Sequence, residues 1–123
     1  MRSILICDDD PDIRAAMMRT LRGYDVVEAA TPHEAKDLLK AHSFDALISD
    51  FNLDADSDGL DLLQHARMVH PTVVRFLVTG NRDLEVAARA VNEGSVHRYF
   101  LKPWDDDKLR SALVLILRSQ HGP

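Results

Sequence analysis

Five short apolar runs alternate with five stretches of helical spacing along 123 residues, and this alternation constrains the fold more than any single motif. Ile4-Leu5-Ile6-Cys7 comes first and shows no clean polar alternation, the mark of a strand covered on both faces, as in a parallel sheet. Asp10 can then cap a helix with Pro11 at its first position, and Ile13, Met17 and Leu21 recur at helical spacing until Gly23. Tyr24 to Glu28 reads as a second strand. Thr31-Pro32-His33-Glu34 is a capping box that opens a helix with Ala35, Leu38 and Leu39 inward, stopping near His42. The third strand runs from about Asp45 to Ser49 and a polar loop from Asp50 to Asp58. Leu60, Leu62, Leu63 and Ala66 mark a helix that ends before Pro71. Val73 to Val78 is the fourth strand, and Asp83 can cap a fourth helix carrying Leu84, Val86, Ala87, Ala90 and Val91. His97 to Leu101 is the fifth strand. Asp105 to Asp107 sit at the start of the last helix, where negative charge suits the dipole, and Leu109, Leu113 and Leu117 form its buried stripe. Ser119-Gln120-His121-Gly122-Pro123 breaks the helical pattern and reads as an end or a linker stub.

Strict alternation with short connections implies a parallel sheet with right-handed crossovers and helices on both faces, with ligand chemistry at the carboxyl ends of the strands. A hydrophobic content of 46% in this length is one domain, residues 1–123, with a full core. The net charge of -5, from 15 basic and 20 acidic residues, argues against a nucleic-acid surface. No apolar run approaches the roughly 18 residues a membrane span needs, so a cytoplasmic protein is expected. Cys7, alone of its kind, cannot make an internal disulfide and reads as a buried core thiol.

Taken in order, the strand ends carry Cys7-Asp8-Asp9, Glu28, Asp50, Thr79 and Lys102. If the first and third strands are neighbours, Asp8 or Asp9 meets Asp50, and such close like charges repel unless a hard divalent ion or a proton sits among them. That points to a Mg2+ site. A carboxylate between a metal ion and an ammonium group can attack phosphorus, while a hydroxyl and a lysine hold the phosphoryl oxygens. The product would be an aspartyl phosphate.

The motifs Ile4-Leu5-Ile6-Cys7-Asp8-Asp9-Asp10, Leu47-Ile48-Ser49-Asp50, Val78-Thr79-Gly80 and Leu101-Lys102-Pro103 occur in order, each at a strand end. In this the chain resembles, over essentially its whole length, the receiver domains of bacterial two-component response regulators. The resemblance implies a flavodoxin-like fold of five parallel strands in the order 2-1-3-4-5 with five helices. It implies that Asp50 is the phosphoacceptor, Asp9 a direct Mg2+ ligand beside Asp50, Asp8 a ligand through water, and Asn52 a donor of its backbone carbonyl. Thr79 would be the switch hydroxyl, Lys102 its cationic partner, Tyr99 the aromatic residue that follows Thr79, and Gly80 the residue that leaves the phosphoryl group room. The Lys102-Pro103 peptide is expected to be cis. The implied partners are a histidine kinase or phosphotransfer protein, or a small acyl phosphate as donor. An output domain or protein would be contacted through the fourth helix, fifth strand and fifth helix. Such a chain catalyses only its own phosphorylation and dephosphorylation. Oligomeric state leaves no signal in the sequence.

The loop after Asp50 departs from the common pattern, which places a proline a few residues after the phosphoacceptor. Here Asp54-Ala55-Asp56-Ser57-Asp58-Gly59 matches the first half of an EF-hand loop, but its twelfth position is His65 where a bidentate glutamate is needed. A solvated loop with Asp58 as a helix cap is the preferred reading. The six histidines lack the spacing of a helical zinc pair. Asp10 reads as a helix cap before a ligand, and Trp104 as either a packing residue or a partner contact. Two rivals are an aspartyl-phosphate hydrolase and a phosphate-independent interaction module. Against the first, the second residue after Asp50 is Asn52, which cannot protonate a leaving group. Against the second, Asp9, Asp50, Thr79 and Lys102 are all intact.

Overall fold

The computed structural model describes residues 2–51, 59–80 and 84–121. Its strands are β1 (Ser3–Cys7), β2 (Asp25–Ala29), β3 (Ala46–Asp50), β4 (Val74–Thr79) and β5 (Arg98–Leu101). Its helices are α1 (Pro11–Thr20), α2 (Pro32–Ala41), α3 (Gly59–Val69), α4 (Leu84–Asn92) and α5 (Asp106–His121). All four strand pairings are parallel, in the order β2-β1-β3-β4-β5.

Every residue of β3 and β4 is buried, whereas the edge strands β2 and β5 mix buried and exposed positions. This is why the central runs read as continuously apolar. Alternate strand residues build two cores. Leu5, Cys7, Leu47 and Leu77 pack with Ala35, Leu39, Leu62, Leu63, Ala66, Ala87 and Ala90 of α2, α3 and α4. Ile4, Ile6, Ile48, Phe76, Val78 and Phe100 pack on the other face with Met17, Leu21, Leu109, Leu113 and Leu117 against α1 and α5.

Three helix starts follow their sequence signals. Asp10 accepts a hydrogen bond from the Asp12 amide at 2.9 Å, ahead of Pro11. Thr31 accepts from the Glu34 amide at 3.1 Å, but Glu34 reaches back to the amide of Ala30, one residue before the cap. Asp105 accepts from the Lys108 amide at 3.0 Å and so stands outside α5 as its cap. The caps expected at Asp58 and Asp83 lie outside the described residues.

The last helix corrects an expectation. It continues through Ser119, Gln120 and His121, with the Ser119 hydroxyl donating back to the Ile116 carbonyl at 3.0 Å within the helix. Strands two to five also start about one residue later than the pattern suggests, so Asp50 and Thr79 are the last residues of β3 and β4.

Arg75 carries a charge into the middle of the fold. Its side chain is buried, with Nε donating to the Ser95 carbonyl at 2.9 Å, Nη1 to Val73 at 2.9 Å and Nη2 to Gly94 at 3.3 Å. These bonds fasten the chain leaving α4 to the start of β4, at the opposite end of the strand from Thr79. Its backbone amide donates to Nδ1 of His97 at 2.9 Å.

Candidate functional site

The parallel sheet brings the carboxyl ends of β1, β3, β4 and β5 to one edge. Register pairs Cys7 with Ser49, Asp50 with Val78, and Thr79 with Leu101, so the residues at or just beyond these positions share that edge. There the carboxylates of Asp8, Asp9 and Asp50 converge, each offering an oxygen within 4.8 Å of the others. Asp8 and Asp50 are buried while Asp9 is exposed.

Lys102 closes the cluster. Its Nζ lies 2.8 Å from Asp50 Oδ1 and 3.1 Å from Asp8 Oδ2, and its backbone amide donates to the Thr79 carbonyl at 2.8 Å. The Lys102-Pro103 peptide that follows is cis. Burial opposes charge on the lysine, but its hydrogen bond to Asp50 and the attraction of Asp50 and Asp8 outweigh this, and its pKa rises. Burial also pushes the Asp50 carboxyl above its ordinary range. The Lys102 hydrogen bond pulls it back, and the charges of Asp8 and Asp9 push with the burial.

The three acids are held differently. Asp8 accepts from the Asp10 amide at 2.9 Å through Oδ1 and from Lys102 through Oδ2. Asp9 makes no side-chain hydrogen bond among the described residues. Asp10 is turned away into its capping role. Thr79 is fully buried at the end of β4, its hydroxyl 3.3 Å from the Gly80 carbonyl, and a Cβ built on Gly80 would meet nothing within 4 Å. Tyr99 is half-buried and packs against the core on the α2–α4 face. Asn52 and the acidic stretch Asp54, Asp56 and Asp58 lie outside the described residues.

Two residues that belong to this region were not singled out from the sequence for what they do. Gly59 opens α3 directly against Asp50, its amide donating to the Phe51 carbonyl at 2.8 Å. A Cβ there would overlap the Asp50 carbonyl oxygen, come within 2.7 Å of its carbonyl carbon and crowd Ser49 Oγ at 2.9 Å. The available signal is a glycine, a poor helix former, in the first turn of a helix. Thr20 is the other. Its buried hydroxyl accepts from Trp104 Nε1 at 2.9 Å and lies 2.5 Å from Asp106 Oδ1, while Arg110 donates to its carbonyl at 2.8 Å. Trp104, half-buried, thereby joins the turn after Lys102 to the end of α1. Cys7 is buried as expected, and burial with the neighbouring acids pushes its thiol up to about 12, which keeps it protonated at neutral pH. His70 and His97 bind backbone groups far from the acids.

A family described as the response regulator receiver domain matches residues 4–114. The response regulator protein PilR of Pseudomonas aeruginosa is 34% identical over 116 residues, which are 93% of this chain and 26% of that protein. The C4-dicarboxylate transport transcriptional regulatory protein DctD of Rhizobium meliloti is 34% identical over 109 residues, 87% of this chain and 23% of that protein. The chain thus spans about a quarter of the length of these relatives. Among solved structures, the signal receiver domain of an HD domain-containing protein from Pseudomonas fluorescens superimposes with a TM-score of 0.89 at 35% identity, covering 99% of this chain and 98% of that one.

Proposed function

The chain belongs to the response regulator receiver domains, and from that premise we propose that Asp50 accepts a phosphoryl group in a Mg2+-dependent step. The donor is a phosphohistidine on a histidine kinase or phosphotransfer protein, or a small acyl phosphate. The observation that carries this is the convergence of Asp8, Asp9 and Asp50 within 4.8 Å under a lysine bonded to two of them. Three hard carboxylate oxygens in so small a space suit Mg2+, which prefers oxygen donors and commonly bridges one or two carboxylates and a phosphate.

Asp9 and Asp50 would hold the ion directly, since Asp9 is exposed and, among the described residues, its carboxylate has no hydrogen bond to give up. Asp8, committed to Lys102 and the Asp10 amide, would act through water, and the Asn52 carbonyl would complete the protein's share. Bound there, Mg2+ neutralises charge on the carboxylates and on the phosphoryl oxygens. Asp50 is ionised above its raised pKa and needs no general base. Its carboxylate oxygen forms the bond to phosphorus as the bond from phosphorus to the donor nitrogen, or to the acyl oxygen, breaks and the electron pair leaves with the donor. Lys102 turns from Asp50 to a phosphoryl oxygen, and the Thr79 hydroxyl takes another.

Those contacts favour one of two conformations, with Tyr99 following Thr79, so phosphorylation shifts a population and changes the surface of α4, β5 and α5. The output is partner binding, without turnover of a separate substrate. Residues 1–123 form one such domain and work in the cytoplasm; no described helix is long and apolar enough to cross a membrane. Trp104 reports the test. Beryllofluoride, a phosphoryl mimic, should change its fluorescence only when Mg2+ is present. No Mg2+-dependent change, or one that persists in Asp50→Asn, contradicts the proposal.

A further inference from the structure

Among the described residues the exposed Asp9 carboxylate has no hydrogen-bond partner, so its position depends on the backbone of Asp8, Asp9 and Asp10. Apart from the first helical bond of α1, from the Arg14 amide to the Asp10 carbonyl at 3.1 Å, that backbone is fastened at three points among the described residues. The Asp8 amide donates across the sheet to the Ala29 carbonyl at 3.1 Å, and the Asp10 amide donates to the Asp8 carboxylate at 2.9 Å. The third is the Asp8 carbonyl, which accepts from Nη1 of Arg14 at 2.7 Å. Arg14 is the side chain that reaches this carbonyl from outside the triplet. It is itself fixed, for Nε donates to Glu28 Oε1 at 3.2 Å, and the Arg14 side chain is 19% exposed.

We infer that Arg14 is a positioning residue of the phosphorylation site: it fixes the Asp8–Asp9 peptide plane and so aims the Asp9 carboxylate at the cation. The carbonyl of Asp8 and the amide of Asp9 share one rigid plane. Holding the carbonyl therefore fixes the Asp9 amide and Cα, the base from which the Asp9 side chain leaves the backbone. A guanidinium can do this with one nitrogen while another rests on Glu28, because its donors are spread over a planar fork. The device ties the metal ligand to the ends of β1, β2 and α1 together. It rests on the Mg2+-dependent reading of the site.

The sign of one measurement separates positioning from simple charge. Arg14 is a cation beside a cation site, so if it acted only by repulsion its removal would tighten Mg2+ binding. If it aims Asp9, removal weakens binding, as losing an outer-shell partner of a metal ligand does. Mg2+ titration of the unphosphorylated chain, followed through backbone amide chemical shifts, gives the affinity directly. Arg14→Met should bind roughly tenfold more weakly, the low end for outer-shell partners. Arg14→Lys, which keeps one donor in reach of the carbonyl, should recover most of the loss, and an unchanged amide spectrum away from the site shows that both variants are folded. Equal or tighter binding by Arg14→Met, with normal binding by the unsubstituted chain, overturns the role of Arg14 and leaves the Mg2+ site standing. Absence of any Mg2+ response in the unsubstituted chain overturns the Mg2+ site itself, and the role of Arg14 with it.

Discussion

Gly59 lies against the backbone of Asp50 so closely that a Cβ on it would overlap the Asp50 carbonyl oxygen. The start of α3 and the end of β3 are thus set by the lack of a side chain at one position. Its backbone angles are ordinary, so space and not conformational freedom makes glycine necessary here. Gly59→Ala must push α3 or Asp50 aside, and a cost of about 2–3 kcal/mol is expected, as for overpacking in a well-packed interior. Urea denaturation measures it. Phosphorylation should fall as well, because the displaced element carries Asp50.

Asp50 is held at a cost to stability. Its folded pKa lies above its ordinary value of 3.8, with burial the main cause. The folded state therefore keeps the proton longer. The group's contribution to stability is full below the unfolded value and is lost as the pH rises through the folded one. Asp50→Asn should raise stability at neutral pH by about 1 kcal/mol, seen as about 3–5 °C in Tm. The gain should shrink towards nothing near pH 3, which thermal melts across that range will show.

Lys102 neutralises Asp50 and Asp8 from distances of 2.8 and 3.1 Å. Lys102→Met leaves two buried carboxylates facing each other, and Asp50 should then titrate at higher pH than in the unsubstituted chain. Carbon-detected NMR of the Asp50 carboxyl follows this. The rate of phosphorylation by acetyl phosphate should drop by about a hundredfold, the scale of losing one group that meets developing charge.

Arg75 is buried with carbonyl partners and, among the described residues, no carboxylate. Arg75→Met leaves the carbonyls of Ser95 and Val73 without their donor and should cost about 2–3 kcal/mol in chemical denaturation. The metal affinity should be unchanged, since the anchor lies at the far end of β4.

His97 is half-buried beside Arg75, and burial first, then the charges of Arg75 and Arg67, lower its pKa below 6.5 against the hydrogen bond from the Arg75 amide, which raises it. Its contribution to stability is fully present above the unfolded value of 6.5 and is lost as the pH falls below it towards the lowered folded value. His97→Asn should flatten that part of the stability curve below about pH 6.5, where the unsubstituted chain loses stability.

The architecture is legible because β1, β3 and β4 are buried on both faces and therefore apolar at nearly every position, while Pro11, Thr31, Pro32 and Asp10 punctuate the helices between them. The acid cluster is legible for a related reason: Asp8, Asp9 and Asp50 stand at the ends of those runs, and parallel strands deliver their ends to one edge. Contacts between elements distant in sequence are harder to see. Thr20 gives no sign that Trp104 and Asp106 meet it. Nor does Arg75 announce that it ends on the chain leaving α4, for a lone arginine in an apolar run says nothing about which carbonyls surround it. Gly59 is visible only as a weak helix former until Asp50 is placed beside it. The helical turn at Ser119 to His121 is missed because polar residues at an exposed helix end carry no apolar stripe.

Intact mass spectrometry after incubation with acetyl phosphate and Mg2+ tests the central claim most directly. Phosphorylation at Asp50 predicts one added phosphoryl group on the unsubstituted chain, not formed when the metal is chelated before the phosphoryl donor is added and absent from Asp50→Asn. An adduct of the same size and yield on Asp50→Asn would contradict it.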